Sequence, residues 1–197
     1  MKLVTYKKHD KVSCGILSSG RLIDIPSIWQ WSNPPRSVKT ILERGPECIA
    51  KLSKLTDWAE GLTDMSQVQL LAPIPSSGKV IALAGNYTEH IKEAGLKLGL
   101  SESGKADTVP RPFLMPASVV TGPDTEIPWP LYSEQVDYEI ELGVVIGKTA
   151  RCVTPGEALG YVGGYTIVND ISARSVTFAQ NRKQRPWDES IRVPLLI

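Results

Sequence analysis

A chain of 197 residues with 42% hydrophobic content is long enough to bury a core of its own. Lys and Arg number 22 against 21 Asp and Glu, with no basic block, which excludes the electrostatic footprint of a nucleic-acid or anionic-membrane binder. No apolar stretch approaches the roughly eighteen residues of a membrane span, and Cys14, Cys48 and Cys152 form no CxxC pattern, which excludes a zinc ribbon or disulfide framework and fits a reducing, cytoplasmic setting.

Residues 1–72 read as a small β-led module. Lys2–Tyr6 and Ser13–Leu17 are predicted strands, Ser18-Ser19-Gly20 a turn, and Arg21–Ile25 a third strand. Pro34-Pro35 breaks the chain before two predicted helices, Val38–Arg44 and Cys48–Leu55. The segment Ala72-Pro73-Ile74-Pro75-Ser76-Ser77-Gly78 is a linker by composition, so a boundary is placed there, with a second domain over 73–197. Lys79–Ala84 is a compact apolar run, read as a buried strand. Gly85-Asn86 then opens a helical stretch, Tyr87–Leu98, with Asn86 as its N-cap. A proline-rich stretch over 110–130 precedes an acidic strand. After it come a short helix at Pro155–Leu159 and a strand at Tyr161–Val168.

The acidic strand runs Asp137-Tyr138-Glu139-Ile140-Glu141-Leu142-Gly143-Val144-Val145-Ile146. Strict alternation places the acids at 137, 139 and 141 on one face, roughly 7 Å apart. At that spacing two carboxylates repel by about 0.6 kcal/mol in water and about 2.4 kcal/mol at an effective dielectric of 20. No Lys or Arg in the run relieves this. Two readings stand side by side: a solvated face beside a basic neighbour, or a site for a hard divalent cation.

His9 and His90 are the two histidines of the chain. On the predicted helix, Glu93 lies three residues after His90 and Lys97 four beyond that, so all three share a face. A carboxylate beside an imidazole suits a general base, while Glu93 with Lys97 equally reads as a surface pair beside an exposed histidine. Asp170, after the strand Tyr161–Val168, reads as an N-cap or as a ligand. Cys152 beside Arg151 and Tyr87 read as core residues, with Tyr87 also able to donate to a ligand.

Three motifs in order, GNYTEHIKE at 85–93, DYEIELGVVIG at 137–147 and GYTIVNDISAR at 164–174, resemble the fumarylacetoacetate hydrolase family over roughly residues 78–180. The resemblance implies an α+β, β-rich fold, the family's mixed β-sandwich roll with a small N-terminal α/β module, in a homodimer. It implies Mg²⁺, alternatively Mn²⁺ or Ca²⁺, held by Glu139, Glu141 and Asp170, with Asp137 outside the ligand set. His90 and Glu93 match the water-activating dyad of acylpyruvase-like members, and Tyr87 and Arg174 match positions that meet substrate. The implied reaction is hydrolysis of a C–C bond in a small 2-oxo or 1,3-dicarbonyl acid. Hydratases, decarboxylases and isomerases of aromatic-compound catabolism share the same site and are the alternatives.

The chain departs from the family pattern at Ser175, where many members have Asp, and at Met115, where many have Lys. After Gln184-Arg185-Pro186-Trp187-Asp188-Glu189 members of the family continue with a lysine-bearing loop and further strands, whereas this sequence turns to Ser190-Ile191-Arg192-Val193-Pro194-Leu195-Leu196-Ile197. The expectation is an incomplete second domain with unpaired edges and exposed apolar surface. That expectation carries a further alternative, a catalytically impaired fragment or subunit partner.

Overall fold

A computed structural model of the protein describes residues 1–56, 63–92, 109–177 and 194–196. The β-led start folds into one antiparallel sheet. Strands β1 (Lys2–Lys8), β2 (Lys11–Ser18), β3 (Arg21–Asp24), β4 (Thr63–Asp64) and β5 (Gln69–Leu71) lie in the order β4-β3-β2-β1-β5. The β1–β2 register runs from Lys2↔Leu17 to Lys8↔Lys11. At the next turn Ser19 and Gly20 both take positive φ, 49° and 74°, the left-handed backbone that a two-residue hairpin loop requires.

Helices α1 (Ile25–Ile28), α2 (Val38–Glu43) and α3 (Gly45–Thr56) cover this sheet. Asp24 caps α1 by accepting from the Ser27 N–H at 3.0 Å, and the Ser37 hydroxyl caps α2 through the Thr40 N–H at 3.1 Å. The inward residues of strands and helices meet in one buried cluster: Cys14, Ile16, Ile23, Ile25, Val38, Ile41, Cys48 and Leu52. The Asp24 carboxylate also accepts from the Tyr6 hydroxyl at 2.5 Å and the Ser13 hydroxyl at 2.8 Å, so the buried tyrosine has a partner.

Beyond residue 72, β6 (Val80–Leu83) pairs antiparallel with β7 (Pro112–Met115) from Val80↔Met115 to Leu83↔Pro112. The expectation of a buried β6 is overturned. Among the described residues it pairs with β7 alone, and Ile81 and Leu83 face outward. Gly85, at φ 59°, turns the chain into a helical turn over 88–92. That turn starts later than the sequence suggests, so Tyr87 and not Asn86 stands before it, its carbonyl accepting from the Ile91 N–H at 3.0 Å.

The last sheet is organised by the twelve-residue strand β10 (Val162–Ala173). On one side it pairs antiparallel with β9 (Ile140–Ile146) and, in line with it, β8 (Val136–Asp137). On the other it pairs with β11 (Pro194–Leu196). The acidic run is therefore one strand interrupted at Tyr138-Glu139. Strand β10 continues past the predicted end at Val168, which places Asp170 within the ladder and removes its N-cap reading. Cys152 is exposed, in positive φ, and not a core residue. Among the described residues no helix is long and apolar enough to cross a membrane.

Candidate active site

The register of the β9–β10 ladder places the acidic residues. Val168 lies opposite Glu141 and Asn169 opposite Ile140, and the Asp170 N–H donates to the Glu139 carbonyl at 2.8 Å. Further along, Ser172 lies opposite Asp137. Directly opposed residues project from the same face of an antiparallel pair. Glu139, Glu141 and Asp170 therefore share a face, with Asp137 at its end. This face is the sheltered one: Asp170 is 6% exposed and Glu139 and Glu141 are half-buried, while the alternate residues face outward. Asn169, to which the sequence reading gave no role, fixes the interruption in the acidic strand, its side-chain oxygen accepting from the Glu139 N–H at 3.1 Å.

The repulsion anticipated along the acidic face is met by a residue distant in sequence. Arg174, just past the end of β10, donates from Nε to Asp137 Oδ2 at 3.1 Å and pairs through Nη2 with Glu139 Oε1. The absence of a cation within the run is a property of the sequence segment and not of the fold.

Tyr87, between β6 and the helical turn over 88–92, reaches the same face. Its hydroxyl accepts from the Leu142 N–H at 3.0 Å, so the expectation of an ordinary core aromatic gives way to a partly exposed side chain held by its polar end. That hydroxyl also lies close enough to the Glu141 carboxylate to favour its charged form. The pKa of Glu141 is nevertheless raised, chiefly because burial desolvates its charge, with the nearby Glu139 charge adding to the effect. The Tyr87 hydrogen bond and the His90 imidazole act in the opposite direction. His90 is thus brought within electrostatic reach of Glu141. Its expected partner Glu93 lies outside the described residues.

The two departures also have places. Met115 is buried at the end of β7, and the Ser175 hydroxyl shares a 2.6 Å hydrogen bond with that of Ser133. Among the described residues, no three Asp, Glu, His or Cys side chains converge as placed on a common point that could hold an ion. Glu139 is instead drawn to Arg174. The donors fit a hard divalent ion in kind, being carboxylate oxygens on one sheltered face, and the backbone register fits in placement.

Several known proteins resemble this chain in sequence and in fold. The family described as "Fumarylacetoacetate (FAA) hydrolase C-terminal" matches residues 79–190. Over 188 residues the chain is 30% identical to a mitochondrial oxaloacetate tautomerase of Xenopus laevis, covering 93% of this chain and 56% of that protein. Over 117 residues it is 38% identical to a 2,4-didehydro-3-deoxy-L-rhamnonate hydrolase of a Sphingomonas species, covering 59% of this chain and 37% of the relative. The solved structure of a fumarylacetoacetate hydrolase from Exiguobacterium antarcticum superposes with a TM-score of 0.69 at 28% identity, covering 98% of this chain and 66% of that one. The chain spans about half the length of the curated relatives it matches.

Proposed function

The chain belongs to the fumarylacetoacetate hydrolase family, and from that premise we propose that it acts on a small 2-oxo or 1,3-dicarbonyl acid with a divalent metal ion, hydrolysing a C–C bond. The observation that supports this most directly is the shared, sheltered face of Glu139, Glu141 and Asp170 on the β9–β10 ladder. These three side chains would hold Mg²⁺, or Mn²⁺ or Ca²⁺ in its place. When bound, such an ion supplies Lewis-acid polarisation of a chelated 2-oxo acid and offsets the negative charge that develops on it.

The remaining steps fall to side chains. His90, assisted by Glu93, takes a proton from water, and the hydroxide adds to the carbonyl carbon distal to the carboxylate. The C–C bond breaks with its electron pair leaving on carbon, and the proton held at His90 is returned to that carbon, so two acids leave from one. Arg174 orients the substrate carboxylate. Tyr87 favours the charged form of Glu141 against its desolvation.

A second reading, keto–enol tautomerisation of a 2-oxo diacid, is favoured by the likeness to an oxaloacetate tautomerase across 93% of the chain. It needs the same face and the same proton shuttle at His90, without addition of water. One experiment separates them. With acetylpyruvate and Mg²⁺, hydrolysis predicts a lasting fall in ultraviolet absorbance with release of acetate and pyruvate. With enol-oxaloacetate, tautomerisation predicts accelerated enol decay with no new acids. Neither change in the presence of Mg²⁺, Mn²⁺ or Ca²⁺ would overturn both readings. Glu139→Gln is expected to abolish whichever activity is found, together with calorimetric binding of Mg²⁺.

A further inference from the structure

The ladder that carries the acidic face is short at one end. Strands β8 and β10 pair at Ser172↔Asp137 and Ala173↔Val136, and there the register stops. Arg174, whose guanidinium meets Asp137 and Glu139, is the next residue, where the chain leaves the strand for the short helix Arg174–Thr177. Two bonds beyond the register hold it there. The Arg174 N–H donates to the Gln135 carbonyl at 2.9 Å, and the neighbouring Ser175 hydroxyl shares a 2.6 Å bond with that of Ser133.

The protons of the hydroxyl pair are placed by counting. A hydroxyl has one proton to give and two lone pairs with which to accept. Ser133 gives its proton to the Gln135 carbonyl at 2.7 Å, so Ser175 is the donor to Ser133. The Gln135 carbonyl receives two bonds, one from Ser133 and one from Arg174. Ser133 is itself fixed. It is 4% exposed, its N–H donates to the Pro130 carbonyl at 3.3 Å, and its carbonyl accepts from Trp129 Nε1 at 2.8 Å. Every polar group of this buried residue is engaged, which makes it a rigid anchor.

Resting on the metal reading above for its consequence, we propose that Ser133 and Ser175 are positioning residues, a hydroxyl clamp that aims Arg174 along the acidic face. The backbone of residue 174 and the side chain of residue 175 are both tied to segment 133–135, which runs directly into Asp137. The arginine and the first of its acids therefore share one frame. Through Oε1 the aimed guanidinium fixes the orientation of the Glu139 carboxylate. Groups one step removed from a ligand set metal affinity by orienting that ligand.

The test uses the full chain and reads the arginine and the metal separately. In metal-free protein, hydrogen exchange of the Arg174 Nε–H, which donates to Asp137 at 3.1 Å, should be severalfold faster in Ser133→Ala and Ser175→Ala than in wild type. By calorimetry the same variants should bind Mg²⁺ about tenfold more weakly. Ser175→Thr keeps the hydroxyl and should hold both readings within about twofold of wild type. In an Arg174→Gln background, Ser175→Ala should change Mg²⁺ affinity by no more than about twofold, because the clamp then has no guanidinium to aim.

A pair that serves the fold alone would lower the urea midpoint and leave both Nε–H exchange and Mg²⁺ affinity unchanged, and that result overturns the proposal. So does a full loss of affinity from Ser175→Ala in the Arg174→Gln background, which shows that the serine does not act through the arginine. Faster exchange with unchanged Mg²⁺ affinity also overturns it, because the aim then does not reach Glu139. No Mg²⁺ heat from wild type overturns the metal reading instead, and Nε–H exchange then decides by itself whether the serines aim the arginine. Where Ser133→Ala fails to fold, Ser175→Ala and Ser175→Thr give the answer.

Discussion

The five-stranded sheet and the sheet around β10 use alternation to opposite ends. In the first, β2 and β3 turn Cys14, Ile16 and Ile23 inward against α2 and α3, and Leu22, on the opposite face from Ile23, is buried as well. In the second, Tyr138, Ile140, Leu142, Val144 and Ile146, with Tyr165 and Ile167 across the ladder, are 49–78% exposed, while the acids between them are sheltered. The first sheet is stabilised by apolar burial, worth about 25 cal/mol per Å². The second relies on its backbone ladder and on Arg174 satisfying two carboxylates. Period-two alternation shows which residues share a face, and it leaves open which face is inside.

The sharpest way to break this comparison is to truncate both apolar sets and unfold each variant in urea. Leu52→Ala and Ile41→Ala remove fully buried groups from a closed cluster and should each cost about 2–5 kcal/mol. Ile167→Ala, on the exposed face of β10, should stay within about 0.5 kcal/mol of wild type. Equal losses at Leu52 and Ile167 would show that the second apolar face is covered as deeply as the first.

A second difference is alkaline stability, which should belong to the first module. Burial pushes the Cys14 thiol from 9.0 to about 12, helped by the Asp24 charge, and burial with the Asp24 hydrogen bond raises Tyr6 from 10.0 to about 12. Both folded values lie above the unfolded ones, so the folded chain binds these protons more tightly. The associated stability is complete below about pH 9 and is lost as pH rises from there through 12, at roughly 1.4 kcal/mol per unit per group. Equilibrium unfolding between pH 8 and 11.5 should show this decline. Cys14→Ala should flatten its lower part, whereas a decline unchanged in that variant would assign it elsewhere.

Much of this was legible in the sequence for physical reasons that can be named. The strands of the first module announced themselves by alternation and by Ser18-Ser19-Gly20, because hairpin turns are local. The acidic face was legible for the same reason, as side chains two apart must share it. What the sequence hid was non-local. The partner of Asp137 and Glu139 lies more than thirty residues away at Arg174. The strand position of Asp170 depends on how far β10 is paired, which its own residues do not state. Tyr87 looked apolar because its role rests on a hydrogen bond to Leu142, fifty-five residues on. The exposure of Ile81 and Leu83 depends on which neighbour β6 finds, and no pattern within six residues encodes that.

The smallest expected effect joins stability to the site. Gly143 continues the acidic face two residues beyond Glu141, opposite Thr166. A Cβ there would stand 2.8 Å from the Cγ2 atoms of both Thr166 and Val168, closer than methyl groups tolerate. Val168 lies opposite Glu141, so relief of that clash moves the ladder at the proposed ligands. Gly143→Ala should cost about 1 kcal/mol, at the low end for overpacking because two side chains can share the shift. It should also weaken Mg²⁺ binding severalfold. Gly156→Ala is the matched control: it adds a methyl where nothing lies within 4 Å, inside the short helix Pro155–Ala158. There, lower unfolded-state entropy and better helix propensity should leave stability equal or raised by about 0.5 kcal/mol, with Mg²⁺ affinity unmoved. If the two variants behave alike, the acidic face tolerates displacement, and its sheltered packing is not what holds Glu141 in place.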